Sequence, residues 1–294
     1  MIATSVPAEI PFRPVQNDAT GSTVSARLPD WIRLIGAALI HLIAVIGGIY
    51  YFSWTGVLLV GFLHWLFGCV GIVVCFHRLL SHRSFRVPKW LEYFMALMGT
   101  LAMQNGPIFW VANHRMHHAF CDTEKDPYNI KGGFWWAHMN WIFFRKLEHH
   151  EYELYRKFAP DLDRDPFYRF LNRRQNLLQV ILGLGLYVLG GWSWVIYGIF
   201  VRTVWTWHTT WLVNSAAHRW GTRPYTIADT AHNNFWVALL TFGEGWHNNH
   251  HHNPRRAQAG LTWWQIDPSW WVIWSLEKLG VANKVYRRER LSGA

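Results

Sequence analysis

Between Leu34 and Phe52, and again between Thr55 and Phe76, the chain contains no Asp, Glu, Lys or Arg, and only Ser53 and Trp54 separate the two runs. Each run is close to the ~20 residues that a helix needs to cross about 30 Å of hydrocarbon. In lipid every backbone N–H and C=O must be satisfied within the segment, so the runs are expected to be helices. A link of two residues makes them an antiparallel hairpin, with Tyr50, Tyr51 and Trp54 as an aromatic belt at its tip. A second pair follows. Gln175 to Val201 is free of the four charged types and is split by Gly190-Gly191-Trp192-Ser193, and apolar helical sequence continues past Arg202 to about Ala217. An intramembrane charge such as Arg202 faces protein or water.

Spans are therefore expected at about 33–52, 55–76, 176–190 and 194–217. Tyr93 to Asn113 is also uncharged, but Gly99, Gln104, Asn105, Gly106 and Pro107 break it into pieces too short to span, and it reads as a helix at the membrane face. Residues 1–30, with Pro7, Pro11 and Pro14, read as a flexible tail and 31–294 as a single domain. The expected fold is an all-α integral membrane protein, with four transmembrane helices in two hairpins. They carry a cytoplasmic helical cap made of 77–175 and 218–294, with a His-rich dimetal centre. The hairpin tips lack Lys and Arg, whereas Arg27, Arg33, Arg78, Arg83, Arg86, Lys89, Arg173, Arg174 and Arg219 flank the other ends. That asymmetry puts both termini and the cap in the cytoplasm, in a multi-pass protein expected in a bacterial inner membrane.

Composition narrows the chemistry. Twenty-one Trp suit a chain that meets lipid interfaces, and a formal charge of +10 gathered next to the spans suits anionic headgroups, which leaves nucleic acid without support. Cys69, Cys75 and Cys121 form no CxxC, so they supply neither a disulfide framework nor an iron–sulfur site. There is no GxxxxGK[ST] loop, GxSxG elbow or GxGxxG turn.

The seventeen His are the positive signal. His77 and His82 stand five apart where the second run ends, followed by His114, His117 and His118, then by Asn214 with His218, and then by His247, His250 and His251. On a helix, positions i, i+3 and i+4 share a face, so the second and last groups each point at one locus, as do Asn214 and His218. Nine imidazoles exceed what one ion accepts, and two metal ions are implied. Every group lies just beyond an apolar run. Of the other eight, His41 and His64 read as packed within spans, and His138, His149, His150, His208, His232 and His252 as supporting or surface positions.

HRLLSH, NHRMHH and GEGWHNNHH, in this order around four spans, resemble the membrane-bound fatty acyl desaturases of the stearoyl-CoA and acyl-lipid Δ9 type. The likeness runs from about residue 31 to about 280 and includes Gln104-Asn105, Trp110, Asp126-Pro127, Arg145-Lys146, Asn214-Ser215 and Gly243-Glu244-Gly245. It implies that the nine His hold two Fe2+ ions, with Asn214 reaching one of them through a water. It implies O2 as co-substrate and a cis double bond as product. Redox-inert zinc could not supply that oxidant.

The electrons must come from a separate carrier of ferredoxin, rubredoxin or cytochrome b5 type, because the chain has no nicotinamide or flavin motif. The resemblance places Gln104, Asn105, Trp110, Thr210 and Trp211 around the bend of a substrate tunnel, Trp65 and Cys69 at its far end, and Arg145 and Lys146 at the headgroup. One departure stands out. Acyl-CoA members carry Arg-Asp where this chain has Ala112-Asn113, and the GPIFWVA wording resembles enzymes acting on lipid-linked chains. Acyl-CoA and acyl-lipid both stay open as substrate. The rival readings are an alkane or carotenoid hydroxylase with similar His boxes and a non-enzymatic membrane metal-binding protein.

Overall fold

The structure is a computed structural model and describes residues 28–145 and 152–287. Most of the expected tail, residues 1–27, lies outside the described residues, as do Lys146, His149 and His150. The chain is mostly helical. Among the described residues the one sheet is a two-residue antiparallel pairing of Leu28–Pro29 with Phe144–Arg145.

Three helical stretches are long and apolar enough to cross a membrane: Trp31–Tyr50, Trp54–Ser81 and Pro166–His218. The third has 53 residues, far beyond the ~20 a bilayer needs. Its dihedrals leave the helical region at Gly190 and at Gly191, where φ is +63°, a conformation that glycine adopts without steric cost. Beyond this break Gly198 lies against Leu186, so close that an added Cβ would stand 2.6 Å from Leu186 Cδ1. Glycines also bring Trp31–Tyr50 near: a Cβ on Gly47 would meet Ile196 Cδ1 at 3.0 Å, and Tyr197 donates to the Gly48 carbonyl at 2.8 Å. Small residues serve this purpose where lipid offers no hydrophobic drive between helices. Ser53 and Ser193 meet at 2.7 Å, and Ser193 donates to the Tyr51 carbonyl at 3.1 Å.

The Trp54–Ser81 helix is α-helical to Leu63 and π-helical from His64 to Ser81. Wider winding moves the repeat from 3.6 residues toward the i→i+5 ladder. Its buried face packs on Lys89–Leu101 at two glycines, where a Cβ on Gly71 would stand 2.3 Å from Gly99 N. The uncharged 93–113 region is broken as expected: Lys89–Leu101 and Pro107–Phe120 are separate helices, with Met103 and Asn105 at positive φ in the turn between them.

Arg202 holds this corner. It is fully buried, donates from Nε to the Gly198 carbonyl and from Nη1 to the Leu101 carbonyl, both at 2.9 Å, and lies 5.0 Å from the Phe67 ring centroid. Gln179 Nε2 donates to the same Leu101 carbonyl at 2.9 Å. Thus the charge faces protein, and with Gln179 it satisfies a helix C-terminus that would otherwise end unpaired in an apolar setting.

Candidate metal centre

Four short segments deliver imidazoles to one region, and they divide into two groups. His77, His82, His114, His118 and His250 have one ligand atom each within 4.8 Å of one another, and so do His117, His218, His247 and His251. All nine expected His are present. The two helices that carry three each serve both groups. Pro107–Phe120 gives His114 and His118 to the first and His117 to the second; His247–His252 gives His250 to the first and His247 with His251 to the second. Where one locus per helix was expected, there are two adjacent ones, because i and i+4 lean to one side of the face and i+3 to the other.

His77 and His82 need another explanation, since residues five apart are not neighbours on an α-helix. The π winding brings their ring centroids to 4.8 Å, with the His82 amide donating to the His77 carbonyl at 3.1 Å.

Within each group the Nε2 atoms face inward: His82 and His114 approach to 2.8 Å, His77 and His250 to 3.1 Å, His118 and His250 to 3.0 Å, and His218 and His247 to 3.0 Å. Several Nδ1 atoms face outward onto oxygen. His117 meets Asp126 at 3.0 Å, His251 meets Asp229 at 2.9 Å, His77 meets Glu244 at 2.5 Å and His218 meets Thr230 Oγ1 at 3.2 Å. A carboxylate on Nδ1–H fixes the tautomer and leaves the Nε2 lone pair free for an ion.

These supports are themselves anchored. Asp126 accepts from the amides of Asp122 and Tyr128, and Glu244 is bound by Arg78, which also binds Asp267. Asp267 in turn accepts from the amides of Ala259 and Trp270. The sequence reading missed the roles of Arg78, Asp229, Thr230 and Asp267. Asp126, Glu244 and, inside HRLLSH, Arg78 stood within recognised wording, whereas Asp229, Thr230 and Asp267 did not.

Burial pushes His82, His114, His118, His247, His250 and His251 well below the ordinary imidazole pKa, and the neighbouring rings add to it. They are neutral at pH 7, the form that ligates metal. Burial pushes Glu244 up, but His77 and Arg78 outweigh it and its carboxyl titrates below the ordinary value. His251 Nε2 is buried with no hydrogen-bond partner among the described residues. Nine inward imidazoles with one such orphaned acceptor fit two divalent ions of intermediate softness.

A cavity of about 400 Å³ opens beside both groups, with His77, His114, His117 and His247 in its wall. Asn214 lines it next to them, as do Gln104, Asn105, Trp110, Thr210 and Trp211. Gln104 ties this wall together, donating to Thr210 Oγ1 at 2.9 Å and accepting from Trp110 Nε1 at 3.2 Å. Trp65 and Cys69, which the resemblance implies at the far end of a tunnel, are not in this wall. Trp65 is 41% exposed beside the exposed Phe62, and Cys69 is fully buried against Ser269, so neither lines the cavity. His64, Gly68, Ile72, Val73 and His77 line it instead. From His64 to His77 the lining recurs every four to five residues, through Gly68 and the Ile72–Val73 pair, a wider repeat than the 3.6 of an α-helix and in keeping with the π winding. The Arg145 side chain and Lys146 lie outside the described residues.

Comparison with known proteins agrees with this site. The family model described as fatty acid desaturase matches residues 52–282. The sn-2 palmitoyl-lipid 9-desaturase of Nostoc sp. (strain 36) is 53% identical over 256 residues, covering 87% of this chain and 90% of that one. The sn-1 stearoyl-lipid 9-desaturase of Anabaena variabilis is 48% identical, covering 80% and 85%. Acyl-CoA 5-desaturase AL21 of Anemone leveillei is 41% identical, covering 87% and 82%. With its histidines gathered in two groups beside a cavity, the chain belongs to the fatty acid desaturase family.

Proposed function

We propose that this enzyme introduces a cis double bond at the ninth carbon of a saturated long-chain acyl group carried by a glycerolipid. The balance is RCH2–CH2R′ + O2 + 2 e− + 2 H+ → RCH=CHR′ + 2 H2O, with the electrons delivered by a separate ferredoxin, rubredoxin or cytochrome b5 type protein. The observation that carries the reading is the pairing of a five-His and a four-His group at the wall of one cavity. When bound, two irons supply the oxidising power that removal of hydrogen from an unactivated methylene requires. His77, His82, His114, His118 and His250 would hold one, and His117, His218, His247 and His251 the other, with Asn214 reaching the second through a water. The chain's own part is to fix these ligands and hold the acyl chain in register, because the position of the double bond follows from how far the chain passes the centre.

Lipid-linked substrate is favoured by the place where an Arg-Asp pair would stand. Ala112 is buried, and Asn113 is turned onto its own helix, donating to the Phe109 carbonyl at 2.8 Å. No charge is offered there to a CoA phosphate. We read the break at Gly190–Gly191 as the tip of a second hairpin, giving four spans with both termini and the metal groups on the cytoplasmic side of a bacterial inner membrane. The Leu186–Gly198 approach and the Ser53–Ser193 contact support two tips on one side.

The test is gas chromatography with mass spectrometry of thioester and phospholipid acyl pools after expression beside His117→Ala. New monounsaturated chains, appearing first in phospholipid and only with the unmutated protein, are expected. First appearance in the thioester pool would reject the carrier, hydroxylated products would indicate a hydroxylase, and metal flux without O2 uptake a transporter.

A further inference from the structure

The cavity beside the metal groups has an open end, and its lining shows where. Among the described residues that line it, only Ile32, 86% exposed, and Asn176 are exposed; the rest are buried or half-buried. Ile32 lies in the first turn of the Trp31–Tyr50 helix, and Asn176 lies on the Pro166–Val195 helix, one residue inside the uncharged run that begins at Gln175. The two lips of the mouth thus stand where two apolar runs begin. Phe109 links them. Its amide donates to Asn172 Oδ1 at 3.3 Å, one turn before Asn176, and its ring centroid lies 5.8 Å from the guanidinium carbon of Arg33, the neighbour of Ile32.

From this mouth the wall follows one face of the Trp31–Tyr50 helix. Ile32, Gly36 and Ile40 line the cavity at i, i+4 and i+8, with Arg33 and Ala37 beside them. Eight residues of α-helix cover about 12 Å. Gly36 keeps this face open, since a Cβ added there would meet nothing within 4 Å. The same cavity reaches Gln104, Trp110 and Thr210, and then His114 and His117. One continuous space therefore joins the ends of two apolar runs to the metal groups.

The surface around the mouth is apolar on one side and cationic on the other. Toward the middle of the apolar runs, Ile35 and Leu39 are exposed on the first helix and Leu177 and Val180 on the second. Toward their ends, Arg173 and Arg174 are exposed just before Asn176, and Arg33, paired with Asp30 at 3.1 Å, forms part of the lip. A bilayer presents the same order, with phosphate outside hydrocarbon. A route through water would expose every methylene of a long acyl chain, whereas a chain that passes from bilayer to cavity exchanges one apolar setting for another. A phosphate headgroup gains nothing by following it, because leaving water without compensating partners is costly.

We infer that the mouth between Ile32 and Asn176 opens sideways to the bilayer and admits one acyl chain of a membrane phospholipid, whose phosphate stays outside among Arg33, Arg173 and Arg174. This rests on the lipid-linked reading above and adds the route to it. The methyl end leads, because the other end of the chain is tied to glycerol. Gly36, one turn in from Ile32, is the point at which a bulky side chain closes the passage, and Asn176 is the matching point on the opposite lip.

The test uses the iron-loaded full chain in phosphatidylglycerol vesicles kept free of O2 and reductant. A phosphatidylglycerol with a diazirine near the methyl end of one saturated chain is photolysed in them, and the labelled residues are located by peptide mass spectrometry. Labels on Trp110 and Thr210, inside the cavity, are expected. They should be lost in Gly36→Phe and in Asn176→Trp, which narrow the mouth from its two lips, and kept in Ile35→Phe, on the outer face of the first helix. Equal iron per chain in these proteins checks that the fold is retained. Labels confined to outward residues such as Leu39 and Val180 in the unmutated protein overturn the lateral mouth, and so do inner labels that survive both narrowing variants. Labelling needs no turnover, so monounsaturated chains that appear first in the thioester pool would strike the lipid-linked reading and leave the mouth to the label map.

Discussion

At the scale of single residues the two histidine groups depend on side chains that stand behind them. Among the grouped histidines Asp126 pairs with His117, which belongs to the four-His group, whereas Glu244 pairs with His77, in the five-His group. Carboxylates in this position typically matter by 10–100-fold in metal affinity or activity. Asp126→Asn is therefore expected to weaken one site and spare the other, so that iron analysis falls from two toward one per chain and Mössbauer spectra keep the signal of one iron. Equal loss from both sites would contradict the division into two groups. The cavity wall gives a second expectation. Gly68→Val narrows the cavity two π turns before His77 and should move preference toward shorter acyl chains by about 10-fold or more, since a methylene in an apolar pocket is worth at least that. Trp65→Ala, on the exposed side of the same helix, should leave the chain-length profile as it was.

At the scale of elements, legibility followed periodicity. The runs free of charge showed where helices would be, and the i, i+3, i+4 spacing showed that His114, His117 and His118 share a face, because both signals are carried by residue type and spacing alone. The π winding of His64–Ser81 was not legible. Hydropathy in a fully apolar run has no stripe to reveal a change of repeat, so the sequence could not show that His64, Gly68 and Ile72 line the cavity while Trp65 is exposed. The supporting carboxylates were equally hidden, for Asp229 lies 22 residues before His251 and meets it only through the fold. What holds the π helix in place is its close approach to Lys89–Leu101. Gly71→Ala would put a Cβ 2.3 Å from Gly99 N, so the two helices must part. Overpacking of this kind costs about 1–3 kcal/mol. A lower midpoint in thermal unfolding and reduced iron content are expected together, because the same helix ends in His77 and His82.

At the scale of the molecule, membrane-spanning and metal-binding parts share one set of helices, so metal chemistry and folding are linked through protons. His82, His114, His118, His247, His250 and His251 have pKa values depressed by burial in the folded chain, while in the unfolded chain they return to about 6.5. Below that pH the unfolded state binds protons that the folded state refuses. Stability therefore falls as pH falls, by about 1.4 kcal/mol per pH unit for each such proton. The same protonation competes with metal, so acid both releases the ions and removes the driving force that burial of neutral imidazole requires. The metal-free chain should lose thermal stability steadily from pH 7.5 to 5.5, and the iron-loaded chain should hold its midpoint over the upper part of that range and drop once metal is released. A midpoint of the metal-free chain that is flat or rises on acidification would mean that these rings are open to water and already charged, which is incompatible with two buried groups of neutral ligands.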